Sequence, residues 1–180
     1  MGPLATTIWI ICYFAVLLGL AGYGIHRYTM IFLYWRNRRK KPEPLSEFKD
    51  LPSVTVQLPI FNELHVVERL INAVSNLDYP KDRLQIQILD DSIDETKEIC
   101  EAEYAKLIEA GFDVELIHRD DRLGYKAGAL ENGMESAKGE YIYILDADFV
   151  PEADVLHQMI HFFTDEKVGM IQTRWGHINK

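Results

Sequence analysis

The chain has 180 residues and a formal net charge of −9, from 28 Asp and Glu against 19 Lys and Arg, so one globular domain with a real core fits within it and two do not. That acidic balance, held although the stretch after the first apolar run is basic, speaks against a nucleic-acid surface. Cys12 and Cys100 have neither disulfide nor zinc spacing and read as small apolar residues in a reducing compartment.

From Pro3 to Ile25 no residue is charged, and about 20 such residues make a helix that crosses the hydrocarbon core of a bilayer. The continuation "HRYTMIFLYW" is rich in aromatic residues and suits the headgroup layer. Residues 1–35 therefore read as a transmembrane and interfacial segment. Arg36, Arg38, Arg39, Lys40 and Lys41 follow it, while no cation precedes the span. The positive-inside rule then puts the rest of the chain in the cytoplasm, with the bilayer as a partner. A cleaved signal peptide would carry its positive charges ahead of the apolar run instead. Residues 36–52, basic and holding Pro42, Pro44 and Pro52, read as a linker.

From residue 53 onward, strand-like and helix-like patterns alternate. "SVTVQLP" predicts a first strand stopped by Pro59. "NELHVVERLINAVSNL" predicts a helix with Asn62 as N-cap, because Leu64, Val67, Leu70, Ile71, Val74 and Leu77 recur at helical spacing. "LQIQILDD" is a second strand, "ETKEICEAEYAKLIEA" a helix closed by Gly111, and "FDVELIHR" a third strand. "YKAGALENGMESAKG" predicts a helix reaching Gly139, and "EYIYILDAD" a fourth strand. "PEADVLHQMIHFFTD" predicts a helix with Pro151 in its first turn, and "VGMIQTRW" a fifth strand. The expected fold is α/β, a mainly parallel sheet with helices on both faces.

In such sheets the site lies beyond the carboxyl ends of the strands. There the sequence places "FNE", "DDS", "RDDRLGYKAG" and "DAD". Asp146 and Asp148, at i and i+2 of a strand, would face the same way while Ala147 turns back. Two carboxylates on one side suit Mg²⁺ or Mn²⁺, which completes its shell with water and phosphate oxygens. Solvated strand-end acids or a helix cap would show the same pattern. Asp90 and Asp91 add two acids at a neighbouring strand end, where Asp91 or Ser92 could instead cap the next helix. Four carboxylates so close require offsetting cations or donors. "GYKAG" opens a helix with Lys126, so backbone N–H groups, the positive helix end and an ammonium could meet a phosphate; an ordinary helix start with a solvated lysine is the alternative. His157 and His161 lack the glutamate spacing of a zinc protease and suit packing. No P-loop, nucleophile elbow or G-x-G-x-x-G turn is present.

In this order, "LPIFNE", "ILDDSIDET", "RLGYKAGAL", "ILDADF" and "IQTRWGHIN" closely resemble family 2 glycosyltransferases of the cellulose-synthase-like and mannan- or glucan-synthase-like group, over Val54 to Asn179. The resemblance implies a GT-A fold, Rossmann-like, that holds a nucleotide-diphosphate sugar and a divalent metal. It implies that Pro59, Phe61 and Glu63 surround the base and that Asp90 and Asp91 are the uridine-binding acidic pair. Lys126 would lie near the diphosphate, and Asp146 and Asp148 would form the D-x-D that binds metal and diphosphate.

The implied reaction is an inverting transfer of a hexose from a UDP- or GDP-sugar to a growing β-linked polysaccharide. Its base, the aspartate of a T-E-D motif, and a Q-x-x-R-W motif that holds the polymer are both expected beyond Lys180. "QTRW" is not that motif, since a single residue separates Gln172 from Arg174. Residues 53–180 thus resemble the donor-binding half of a larger synthase, in a bacterial inner membrane or, in a plant-like cell, the Golgi membrane. A single transfer to a lipid carrier, an inactive nucleotide-sugar binding fragment, and a haloacid-dehalogenase-type phosphatase with Asp146 as nucleophile are the alternatives.

Overall fold

A computed structural model describes residues 2–40 and 42–173. The chain divides into two units, Met1–Glu43 and Pro44–Lys180. In the first, one helix, α1, runs Pro3–Asn37 over 35 residues with no buried side chain. Pro3 opens it where an N–H would have no partner. The membrane and interfacial segments expected from the sequence form this single helix, about 52 Å long at 1.5 Å per residue. It is long and apolar enough to cross a membrane. At its end the Arg38 guanidinium lies 4.0 Å from the centre of the Trp35 ring.

Among the described residues the second unit is built on four parallel strands, β1 Val54–Ile60, β2 Leu84–Asp90, β3 Asp113–His118 and β4 Tyr141–Ile144, in the order β3-β2-β1-β4. Their two faces differ in chemistry. Val54, Val56, Leu58 and Ile60 of β1 and Leu84, Ile86 and Ile88 of β2 share one apolar core with α2 (Val67–Ser75), α3 (Thr96–Glu109) and α5 (Val155–Ile160). Alternate strand positions point the other way, to α4 (Tyr125–Met134), and there Thr55, Gln57, Gln85 and Gln87 are buried, with Leu89 beyond them toward the carboxyl end.

This second face is a hydrogen-bonded seam. Gln57 Nε2 donates to Gln87 Oε1 at 3.0 Å and to the Leu130 carbonyl at 3.4 Å. Gln87 Nε2 donates to the Gly133 carbonyl at 2.9 Å and to Ser136 Oγ at 3.0 Å. Gln85 accepts from Thr55 Oγ1 and from the Lys138 amide, and the Gly139 amide donates to Thr55 Oγ1. Glycine lets α4 come this close, because a Cβ at Gly133 would lie 2.7 Å from Gln57 Nε2. The same bonds explain why α4 stops at Met134 and does not reach Gly139: residues 136–139 turn their polar groups to the strands.

Four other expectations are corrected. Pro59 does not stop β1 but lies within it, paired in register with Leu89. The Gln57 carbonyl accepts from the Leu145 amide on the β4 side. Two residues on, Pro59 faces that side where β4 has already ended, so its missing N–H breaks no ladder bond. Asn62 does not cap α2. Its φ is 53°, its amide donates to Ser92 Oγ and its Oδ1 accepts from the Ile93 amide. It ties the loop after β1 to the loop after β2, and the helix starts at Val67. Pro151 lies outside α5, whose start is delayed because the Ala153 carbonyl accepts the Asp78 amide. The fifth strand is absent over residues 168–173, and Arg174 and Trp175 lie outside the described residues.

Candidate functional site

The β1–β2 ladder continues to Ile60 and Asp90, but the β1–β4 ladder ends at Gln57 and Ile144. The sheet therefore splits at its carboxyl edge between β1 and β4, which is also where the strand order reverses direction. A cleft of about 500 Å³ opens there, and Pro59, Phe61, Glu63, Asp91, Lys126, Asp146 and Asp148 all line it. A larger hollow, about 880 Å³, lies at the opposite end of the strands. Its cations are committed: Lys81 to the Ala110 carbonyl, Arg83 to the Leu51 carbonyl and Lys138 to Asp113.

The acidic pair after β2 separates into two roles. Asp90 is buried and does not line the cleft; its Oδ1 accepts from the Ser92 amide at 3.0 Å and its Oδ2 pairs with His118 Nδ1 at 2.8 Å. Asp91 reaches the cleft wall, where Arg119 donates Nε to Oδ1 at 2.8 Å and Nη2 to Oδ2 at 2.5 Å. These bonds to Asp91 raise the Arg119 pKa further. Neither Asp91 nor Ser92 caps α3; Asp94 Oδ1 accepts the Thr96 amide instead.

Arg119 also donates to the Leu123 and Tyr125 carbonyls at 3.2 and 3.1 Å. It braces a turn in which Gly124 and Tyr125 take φ of 74° and 51°. That turn starts α4 with Lys126 at its second position. Arg122 crosses the cleft mouth with its guanidinium 3.2 Å from the centre of the Phe61 ring and 4.0 Å from Asp91. Sequence reasoning took Asp91, Phe61 and Lys126 singly and missed Arg119 and Arg122. The signal was there in "RDDRLGYK", two arginines facing a loop of acids that needed cations.

Asp146 and Asp148 converge, though not through the alternation of a strand. β4 ends at Ile144, and the Phe149 amide donates to the Asp146 carbonyl in a turn that brings both carboxylates and the buried Ala147 to the cleft. Lys126 Nζ is bonded to Asp146 Oδ1. Asp148 has no hydrogen-bond or ion-pair partner among the described residues and is exposed. No cluster of three or more potential ligands from His, Cys, Asp and Glu forms among the described residues. Two carboxylates on a wet turn are nonetheless a donor set that suits Mg²⁺ or Mn²⁺, which takes few protein oxygens and leaves room for phosphate.

His157 and His161 behave as packing groups. His161 Nδ1 accepts the Phe48 amide at 3.1 Å, and the His157 ring lies 5.6 Å from that of Tyr79. Cys100 is buried, as its composition implied.

The sequence profile described as "Glycosyl transferase family 2" matches residues 55–180. The chain belongs to this family. Among family 2 relatives it is 38% identical over 163 residues to "Glucomannan 4-beta-mannosyltransferase 2" of Arabidopsis thaliana, covering 84% of this chain and 30% of that protein. It is 38% identical over 148 residues to "Glucomannan 4-beta-mannosyltransferase 1" of Cyamopsis tetragonoloba, over 79% of this chain and 28% of that protein. The chain thus spans less than a third of the length of these relatives. The mannosyltransferase PcManGT from Pyrobaculum calidifontis, solved in complex with GDP-Man and Mn²⁺, superposes with a TM-score of 0.70 at 29% identity, over 83% of this chain and 44% of its own. S. aureus TarS in complex with UDP, at 22% identity and a TM-score of 0.52, shares the fold over 58% of this chain and 30% of its own. The fold is GT-A, as the motif resemblance implied. Asp146 follows the last strand of the sheet, so the phosphatase alternative, which needs its aspartate on the first strand, is set aside.

Proposed function

We propose that this chain is the donor-binding part of a membrane-attached glycosyltransferase that moves a mannosyl unit from GDP-mannose to a growing β-linked polysaccharide. The observation that carries this reading is the meeting of Lys126, Asp146 and Asp148 in one cleft at the split of a parallel sheet. It is supported by relatives named as glucomannan mannosyltransferases and by a structural neighbour that holds GDP-Man and Mn²⁺.

In this reading the base lies near Pro59, Phe61 and Glu63, against the Asp91 wall that Arg119 fixes. Asp90 serves from behind, holding the Ser92 loop and His118 rather than touching nucleotide. Lys126 and the first turn of α4 meet the diphosphate with an ammonium and a positive helix end. Asp146 and Asp148 would hold Mg²⁺ or Mn²⁺, which when bound offsets the charge of the departing diphosphate. The helix α1 anchors the chain to a bilayer, and the basic residues that follow the span put the family 2 domain on the cytoplasmic side.

The test is calorimetry of GDP and UDP on the full 180-residue chain in detergent, with and without Mn²⁺, repeated with Asp148→Asn. GDP binding that needs Mn²⁺, exceeds UDP binding and is lost in the variant supports the reading. A folded chain that binds neither nucleotide overturns it; tighter UDP binding would keep the donor site and replace the sugar nucleotide.

A further inference from the structure

We infer that Lys126 is an internal cation that occupies the metal-binding carboxylate until a diphosphate draws it away, so that metal and donor bind as a pair. The inference rests on the reading of Asp146 and Asp148 as the metal ligands and of Lys126 as a diphosphate contact.

Asp146 and Asp148 are the two carboxylates that follow β4 into the cleft among the described residues, and Asp146 Oδ1 is taken by Lys126. Of the other acids that line the cleft, Asp91 is held by Arg119 on both of its oxygens, while Glu63 and Asp148 form no hydrogen bond or ion pair with Lys126 among the described residues. Both ends of the contact are held from behind. The seam ties α4 to the sheet through the Leu130 and Gly133 carbonyls. Gly128 packs against the Leu123 carbonyl so closely that a Cβ there would collide with it. The Asp146 backbone is fixed by the turn to Phe149. The lysine thus reaches Asp146 from a placed backbone.

A divalent ion arriving alone finds one of its two carboxylates neutralised and a like charge at bonding distance. Both effects weaken it. A diphosphate offers the ammonium a more highly charged acceptor, and its departure frees Asp146 for the metal. Each ligand then strengthens the other, and the coupling must be reciprocal. Lys126 and Asp146 are both about half exposed, with side-chain accessibilities of 50% and 44%, so the effect is modest.

The decisive measurement is Mn²⁺ binding without nucleotide, followed by the loss of the free-ion paramagnetic resonance signal, on the full chain in detergent. Lys126→Gln is expected to bind Mn²⁺ about fivefold more tightly than the unaltered chain, the size of an exposed ion pair. Lys126→Arg, which keeps the charge, should stay within about twofold. GDP calorimetry with and without Mn²⁺ should show a smaller metal effect on GDP affinity in Lys126→Gln. If Lys126→Gln binds Mn²⁺ alone no better than the unaltered chain, while that chain binds Mn²⁺ with GDP and Asp148→Asn does not, the metal site stands and the inference falls. If no form binds Mn²⁺ under either condition, the reading of the site falls and the inference with it.

Discussion

Arg119 and Asp91, at the ends of neighbouring strands, meet as a fork on a carboxylate, with bonds of 2.8 and 2.5 Å to its two oxygens. The side chains are 12% and 4% exposed, so the pair is nearly dry. A dry pair is costly to break from one side, because the remaining charge keeps its desolvation penalty without its partner.

Arg119→Ala is therefore expected to lower stability by about 2–4 kcal/mol, somewhat cushioned by Arg122 nearby. Arg119→Lys should recover only part of it, since an ammonium cannot span both oxygens. Urea denaturation followed by circular dichroism reads the change. A midpoint unaffected by Arg119→Ala would show that Arg122 satisfies Asp91 by itself.

Gln87 makes the largest set of contacts in the seam under α4. Gln87→Leu would leave the Gly133 carbonyl, Ser136 Oγ and Gln57 Nε2 short of partners in a dry place, with a loss of about 3 kcal/mol. The same urea series, together with hydrogen exchange of the α4 amides, checks it. Loss of protection spread evenly over the unit, rather than greatest in α4, would count against a seam that acts on α4.

The Cys100 thiol is pushed up to about 12 from its ordinary 9.0, first by burial and then by Asp90, Glu101, Asp94 and Glu103. The Tyr79 hydroxyl is pushed up to about 12 from 10.0, mainly by burial, and donates to the Pro52 carbonyl at 2.6 Å. In both cases the fold favours the protonated form. Their contribution is complete below pH 9 and is lost as the pH rises toward 12, where the unfolded chain releases protons that the fold retains. Thermal unfolding at increasing pH should show stability falling from about pH 9 upward, with a shallower fall in the Cys100→Ala, Tyr79→Phe double variant. Parallel curves would refute this.

The parallel sheet, its cores and the carboxyl-end loops were legible in the sequence, because strand and helix periods differ and Asp, Glu, Lys and Gly gather where strands end. What was not legible depended on contacts between distant segments. Asn62 has the composition of a helix cap, but its partners are Ser92 and Ile93 on another loop. Asp90 and Asp91 are adjacent in sequence and look equivalent, yet one faces His118 and the other the cleft. The D-x-D was found for a reason that did not hold: the two aspartates meet through a turn after β4, and a strand period can find such a pair only by coincidence. The buried glutamines point away from the apolar core, and nothing in a single strand says that a helix will answer them with carbonyls.

Pro59 has a consequence for ligand binding. Had an N–H stood at that position, β4 could have zipped two residues further along β1, and the groove between the two strands would have closed into ordinary sheet. A ring nitrogen that cannot donate makes that closure unprofitable. The opening is thus written into covalent structure, a permanent notch into which a ligand would fit without strands first having to be prised apart.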